Sequence, residues 1–137
     1  MYDRIVVAID GSDCATRAVS VAGELAQAFA SEVIVVHLAE TIAAWTLAVE
    51  AETPDEAGNL ADLAVRRLKD MGVSARAEVH TIVRGAVAHR IVDLAEAVDA
   101  DVIVMGSRGL SDFSGLLLGS VTHRVLHQAK VPVLVVK

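Results

Sequence analysis

Glycine and small polar residues stand at three places in this sequence where an anionic ligand could be held. Two groups, Asp10–Ser12 and Gly106–Gly109, follow apolar runs, and the pair Gly119 and Ser120 precedes an amphipathic pattern. Glycine lets a backbone N–H group approach an anion because no Cβ is in the way. The N–H groups of Gly119 and Ser120 would lie at the positive end of a helix dipole. The spacing fits a phosphate site, although tight turns and a helix cap explain each glycine equally well.

The pattern differs from the two best-known phosphate-binding motifs. The region of the last glycines lacks G-x-x-x-x-G-K-[ST], and G-x-G-x-x-G does not follow the first apolar run. A P-loop lysine is therefore lacking. Arg108 is the nearest obvious cation for a terminal phosphate, and a solvated loop arginine is the alternative interpretation of it.

Other reactive side chains near these groups are weaker candidates. Cys14 is expected near a helix N-terminus, which can lower a thiol pKa, but the sequence places no partner beside it and we assign it no chemistry. Asp13 is expected to interact favourably with the same helix dipole. His123 and His127 share a helical face as in the zinc motif H-E-x-x-H, but Arg124 stands where that motif has glutamate. We expect a solvated face there and no metal site.

Short apolar runs alternate with helical patterns along the chain. Runs rich in β-branched residues predict buried strands, and one alternating run is typical of a half-solvated strand near an edge. Between the runs, apolar residues recur every three or four positions, which predicts four helices. The buried strands are Ile5–Ile9, Val33–Leu38, Asp101–Met105 and Val133–Val136; the alternating strand is Val73–Val83; the helical patterns are Thr16–Phe29, Leu60–Met71, Val87–Val98 and Val121–Ala129.

Strands that are apolar on both faces and alternate with helices predict an α/β fold. We expect an open five-stranded parallel sheet, doubly wound, with helices on both faces. If the order is 3-2-1-4-5, the winding reverses between the first and fourth strands, where ligands bind in such sheets. Asp10–Ser12 and Gly106–Gly109 leave those two strands. His37, inside the second strand, is expected to be buried with its polar atoms satisfied.

A single domain spanning residues 1–137 is expected, because no composition break or linker divides the chain. The segment Ala39–Ala57 is the one long connection without a clear pattern, and it is compatible with an ordered flap. It contains Trp45, which would either close over a ligand or pack beneath its own loop.

Composition narrows the class of protein further. The chain is 54% hydrophobic, 22% charged and 3% aromatic, with a formal net charge of -6. The charge has the wrong sign for a general nucleic-acid or anionic-membrane surface, and aromatic platforms for bases are scarce. No run approaches the roughly 20 apolar residues of a membrane helix. The N-terminal run is too short for a signal peptide, and a lone Cys14 gives no disulfide framework, so we expect a cytoplasmic protein.

At the glycine groups the sequence resembles the universal stress protein family. Nucleotide-binding members of that family carry G-x2-G-x9-G-[ST], and Gly106, Gly109, Gly119 and Ser120 fit this motif without a gap. The resemblance covers essentially the whole chain and is loosest in the segment around Trp45. Its other segments are Ile5–Ser12, Val102–Gly109 and Leu117–Val136.

The resemblance implies a 3-2-1-4-5 sheet that binds ATP at the switch-point crevice, with Mg²⁺ carried by the phosphates. It implies nucleotide contacts from Asp10 and Ser12, an adenine pocket at Leu38 flanked by Met105, and phosphate and ribose contacts from Gly106, Gly109, Gly119, Ser120 and Val121. Gly11 and Arg108 complete the expected set of site residues. For Asp10 alone, a helix N-cap is the alternative role.

Three functions are compatible with these residues. The first is an ATP-responsive module for stress or signalling. The second is a slow ATPase or self-phosphorylating enzyme that uses Asp10 and Arg108. Phosphoryl transfer usually needs more positively charged groups around the phosphate than one arginine. The third is a nucleotide-free protein-interaction domain. We favour the first, with a protein partner that the sequence does not identify.

The last strand predicts an assembly. Val133–Val136 is an uninterrupted apolar run expected at a sheet edge, where unpaired backbone groups invite pairing. We therefore predict a two-fold homodimer joined at this strand, which the family resemblance also suggests.

Overall fold

The computed structural model describes residues 1–44, 47–50, 52–110 and 117–137. Strands and helices alternate along almost the whole of the described chain. In chain order the elements are β1 (Arg4–Ile9), α1 (Asp13–Phe29), β2 (Glu32–Ala44), β3 (Leu47–Glu50), α2 (Pro54–Asp70), β4 (Ser74–Val83), α3 (Val87–Ala97), β5 (Val102–Gly106), α4 (Ser120–Gln128) and β6 (Val133–Val136).

Five strands form the parallel sheet that the sequence predicts. Their order is β4-β2-β1-β5-β6, and each neighbouring pair is parallel. Counted along the chain, this order is 3-2-1-4-5, so the predicted α/β fold and strand order are confirmed. The winding reverses between β1 and β5, whose register places Ala8 opposite Met105.

The hairpin of β2 and β3 is a correction to the sequence analysis. β2 continues to Ala44, and its last four residues pair antiparallel with β3. Thr41 pairs with Val83 of β4 on one side and with Glu50 of β3 on the other. Since a strand has two edges, β3 lies on the β1 side of β2, beyond the last β1 residue, Ile9. Part of the expected flap is therefore a β-hairpin; Trp45 lies outside the described residues.

The sheet separates two hydrophobic clusters. Alternate β1 residues such as Ile5 and Val7 pack with α1 and α2, while Val6 and Ala8 pack with α3 and α4. Ile5, Val6 and Val7 are fully buried. Each such side chain contributes roughly 1.5–3 kcal/mol relative to an exposed one, so burial on both faces holds the strand ends in place.

Capping residues set the helix starts earlier than the apolar patterns suggested. The Ser12 hydroxyl accepts a hydrogen bond from the Ala15 N–H at 3.2 Å and begins α1. Thr53 and Glu56 form a reciprocal capping box that begins α2, with Pro54 in its first turn. α2 ends before Gly72, whose φ of +79° fits the predicted stop. The caps anchor both helices next to the carboxyl ends of the strands.

The two outer parallel strands differ in chemistry. β4 alternates between half-buried and exposed residues, as expected for an edge strand, and carries ion pairs of Arg76 with Glu32 and Glu78. β6 is uncharged, and its Leu134 is 39% exposed. Among the described residues, no helix combines the length and apolarity needed to cross a membrane.

Candidate functional site

A cavity of about 550 Å³ opens at the reversal of the sheet, outside the carboxyl ends of the strands. Its size is within the range of small-molecule sites, roughly 300–1,000 Å³. Nine of the eleven predicted site residues line it: Asp10, Ser12, Leu38, Met105, Gly106, Arg108, Gly109, Ser120 and Val121. Gly11 and Gly119 are not among the described lining residues. The structure therefore brings most of the predicted set to one place, and their contacts with a nucleotide stay a prediction.

Asp10 joins the two loops on either side of the reversal. Its Oδ1 accepts a hydrogen bond from the Ser12 N–H at 2.9 Å, and its Oδ2 accepts one from the Leu110 N–H at 3.2 Å. The alternative role of Asp10 as a helix N-cap is wrong, because Ser12 caps α1. Asp13 lies in the first turn of α1, as expected for a favourable dipole contact.

Gly11 allows the conformation of the loop after β1 and does not line the cavity. Its φ is +85°, a conformation that side chains strongly disfavour. A Cβ there would contact Leu60 at 3.5 Å. The glycine after Asp10 is therefore explained by the turn.

Gly106 has a packing role that the motif did not reveal. A Cβ at this position would lie 2.7 Å from the Cβ of Cys14 and 2.9 Å from its carbonyl carbon. The Gly106 carbonyl also accepts a hydrogen bond from the Thr122 hydroxyl at 2.8 Å. The missing side chain thus lets α1 approach β5, while Thr122 ties β5 to the start of α4.

The N-terminus of α4 contributes two residues to the cavity lining. Gly119 is its N-cap residue and makes no side-chain cap hydrogen bond. The first N–H groups of a helix have no partner within the helix, and they carry the positive end of its dipole. Ser120 and Val121 occupy these positions and line the cavity.

Gly119 itself departs from the predicted pattern. Its N–H donates to the Ser107 carbonyl at 2.6 Å, so this amide is already engaged. The geometry therefore favours Ser120 and Val121, rather than Gly119, as amide donors to a phosphate.

Part of the cavity lining is apolar. Leu38 and Met105 are 8% and 5% exposed, and both belong to the cluster under α3 and α4. Val87 and Ile91 of α3 also line the cavity. Such a surface suits the faces of a planar base, in keeping with the predicted adenine positions.

Four charged or titratable residues line the cavity but were not predicted from the sequence as site residues. They are His37, Glu40, Glu52 and Arg84. Glu40 and Arg84 follow the predicted cores of the second and third parallel strands, so the strand-exit argument could have found them. Arg84 Nε lies 3.8 Å from Glu40 Oε2. Glu52 could not be found this way, because it follows the hairpin that the sequence did not predict.

The thiol of Cys14 lies beneath the loop after β5. Burial raises the pKa of this thiol, but hydrogen bonds from Ser107 and the Arg108 backbone and the charge of Arg17 outweigh it and lower the pKa. Arg17 Nη2 lies 3.1 Å from the sulfur. Cys14 as a residue is 7% exposed, and we still assign it no chemistry.

His123 and His127 are exposed on α4, with ring centroids 4.6 Å apart. Within the described ranges, no three His, Cys, Asp or Glu residues are grouped so that they could hold a metal ion.

Known proteins resemble this chain over its full length. Residues 1–137 match the model of the universal stress protein family. A universal stress protein of Methanocaldococcus jannaschii is 35% identical over 144 aligned positions, covering 100% of this chain and 83% of the relative.

Solved structures agree in fold. One from Archaeoglobus fulgidus, in complex with dAMP, has a TM-score of 0.77 and 30% identity, covering 99% of this chain and 98% of that chain. Another universal stress protein, in complex with cAMP, has a TM-score of 0.71 and 34% identity, covering 98% and 96%. By sequence and by fold, this chain belongs to the universal stress protein family.

Proposed function

We propose that the chain is a cytoplasmic ATP-binding module whose nucleotide occupancy is read by another protein. The observation that carries this proposal is that Ser120 and Val121, the first two residues of α4, line the cavity at the sheet reversal. The first N–H groups of a helix have no partner within the helix and can bind an anion. Gly106, Arg108 and Gly109 line the same cavity. Phosphates would be held there chiefly by the backbone.

The span of the cavity matches one nucleotide. Neighbouring strands lie about 4.8 Å apart, so the ends of β5 and β2, separated by β1, are roughly 10 Å apart. Phosphates at the α4 N-terminus would therefore place the base near Leu38, at the end of β2. Asp10 and Ser12 lie at the end of β1, between these positions, where the ribose would pass.

The related structures support this class of ligand. The relatives that are bound to dAMP and cAMP share the fold of this chain, and each holds an adenine nucleotide. The preference for ATP rests on the complete G-x2-G-x9-G-[ST] motif. Mg²⁺ would be bound mainly by the phosphates and water, as is usual for this ion.

A binding role is favoured over catalysis by the state of Asp10. Each carboxylate oxygen of Asp10 accepts one backbone N–H group, so the two loops fix the position of this side chain. Asp10 is thus engaged in holding two loops together. The geometry favours a site that binds and responds to a nucleotide.

We also propose that β6 forms a two-fold homodimer. The opposite edge strand, β4, carries Arg76, Glu78 and His80, and charged side chains of this kind discourage edge pairing. β6 has an uncharged run and a partly exposed Leu134. Pairing of two β6 strands would continue the sheet across the dimer.

Calorimetric titration of the nucleotide-free protein with ATP and Mg²⁺ tests the proposed function. Ser120→Asp should abolish binding, because a carboxylate at the first position of α4 repels phosphate while stabilising the helix dipole. Ser120→Ala is the matched control and should retain binding, because it keeps the backbone N–H. Absence of wild-type binding up to millimolar ATP, or normal binding by Ser120→Asp, would overturn the proposal.

A further inference from the structure

A buried histidine and a carboxylate form one wall of the cavity. His37 is 3% exposed, and its Nδ1 lies 2.8 Å from the Ile9 carbonyl oxygen. Its Nε2 lies 2.8 Å and 3.0 Å from the two carboxylate oxygens of Glu52. Glu52 stands in the connection between β3 and α2. His37 therefore fastens this connection to the end of β1, directly beside the Asp10 loop.

The two contacts of His37 fix where its protons are. A carbonyl oxygen only accepts hydrogen bonds, so Nδ1 must carry a hydrogen. A proton must then lie between Nε2 and Glu52, because otherwise the nitrogen lone pair would face a carboxylate oxygen at 2.8 Å. The closed contact therefore holds one proton more than a neutral imidazole and a free carboxylate.

Charged groups of both signs surround the contact. Asp10 at the end of β1 and Glu40 on β2 are carboxylates lining the same cavity, whereas Arg84 and Arg108 are cations that oppose them. The titratable groups in the first turns of the two helices on this face are Asp13 and Cys14 of α1 and Asp55 and Glu56 of α2. A bound polyphosphate would add negative charge to the cavity.

We propose that Glu52 is a positioning residue for the nucleotide and that it holds the cavity wall in place only while it shares a proton with His37. Loss of the proton replaces an attractive contact by a repulsive one and releases the connection before α2. ATP, which needs the wall in place, then binds less tightly. The nucleotide part of this inference rests on the proposed function, whereas the contact itself is independent of it.

Binding and proton uptake must be reciprocal. If the protonated pair favours ATP, ATP favours the protonated pair by the same factor. Titration in two buffers of different ionisation enthalpy should therefore show proton uptake on binding above neutral pH. The apparent affinity should fall by up to about tenfold per pH unit where the shared proton is lost.

Glu52→Gln separates positioning from simple structural support. A glutamine amide can donate to a deprotonated Nε2 or accept from a protonated one, so the wall stays in place at either pH. In this variant the dependence of ATP affinity on pH should shrink to the part that comes from protonation of the ATP phosphates. Asp62→Asn is the control, because it removes an exposed carboxylate of α2 that does not line the cavity, and it should keep the wild-type slope.

Measurements without nucleotide test the contact on its own. As pH rises from about 6 to 9, the thermal midpoint of the wild type should fall relative to that of Glu52→Gln. Imidazole ¹⁵N shifts of the wild type should show Nδ1 protonated throughout and Nε2 losing its proton over the same range.

Each outcome supports or overturns a separate claim. If the wild type binds no ATP but shows these nucleotide-free changes, the proposed function fails and the proton-dependent contact stands. If wild-type affinity and Glu52→Gln affinity have the same pH slope, the positioning role of Glu52 is overturned. The contact itself is overturned if His37 Nε2 stays unprotonated across this pH range. It is also overturned if the thermal midpoints of the wild type and of Glu52→Gln change equally with pH.

Discussion

Adding one methyl group at Gly106 should destabilise the protein, whereas the same change at Gly58 should stabilise it. An alanine Cβ at position 106 would lie 2.7 Å from Cys14 Cβ, 2.9 Å from its carbonyl carbon and 3.0 Å from the Ala15 nitrogen. Two of these atoms belong to the backbone of α1, so the helix itself must move. Overpacking of this kind costs about 1–3 kcal/mol.

Gly58 provides the matched control because it lies within α2 with nothing within 4 Å of its Cβ position. Replacing a glycine inside a helix by alanine contributes roughly 0.5–1 kcal/mol. Urea denaturation of both variants and the wild type measures the two free energies of unfolding directly. If Gly106→Ala unfolds at the wild-type urea concentration but no longer binds ATP, the packing explanation is refuted and a direct ligand role replaces it.

Three further changes test the caps, the charged edge and the assembly. Thr53→Ala removes the capping box of α2 and should lower the free energy of unfolding by about 1 kcal/mol; an unchanged urea midpoint would contradict this. The Arg76 hydrogen bond lowers the pKa of Glu78, so its stabilisation is present above the ordinary carboxyl range and is lost as pH falls. Glu78→Gln should therefore destabilise by about 0.5 kcal/mol at pH 7, and equal stabilities of the two proteins at both neutral and acid pH would count against the ion pair. Leu134→Lys on β6 should yield a monomer in light scattering while Val79→Lys on β4 leaves the dimer intact; the reverse result would move the interface to the other edge.

The fold could be predicted because the sequence pattern is consistent at each level. Runs such as Ile5–Ile9 are apolar on both faces, and the helical patterns between them leave a parallel sheet as the solution. β3 was missed because Glu40 and Thr41 interrupt the apolar run of β2. Its antiparallel pairing with β2 does not follow from a period in the sequence.

The site could be located but not fully assigned. The strand-exit argument placed Asp10 and Gly106 at the reversal, yet the packing role of Gly106 depends on how closely α1 approaches β5. Likewise, the engagement of the Gly119 amide requires the position of Ser107, which spacing does not give. The contact of His37 with Glu52 depends on the unpredicted hairpin. In each case the missing information is a tertiary distance.

Amide chemical shifts during an ATP titration test the central claim most directly. If main-chain N–H groups at the start of α4 hold the phosphates, the ¹H–¹⁵N signals of Ser120 and Val121 should move most as ATP is added. The Gly119 signal should move less, because its N–H stays on the Ser107 carbonyl. Saturable ATP binding that leaves the Ser120 and Val121 signals unmoved would contradict the account.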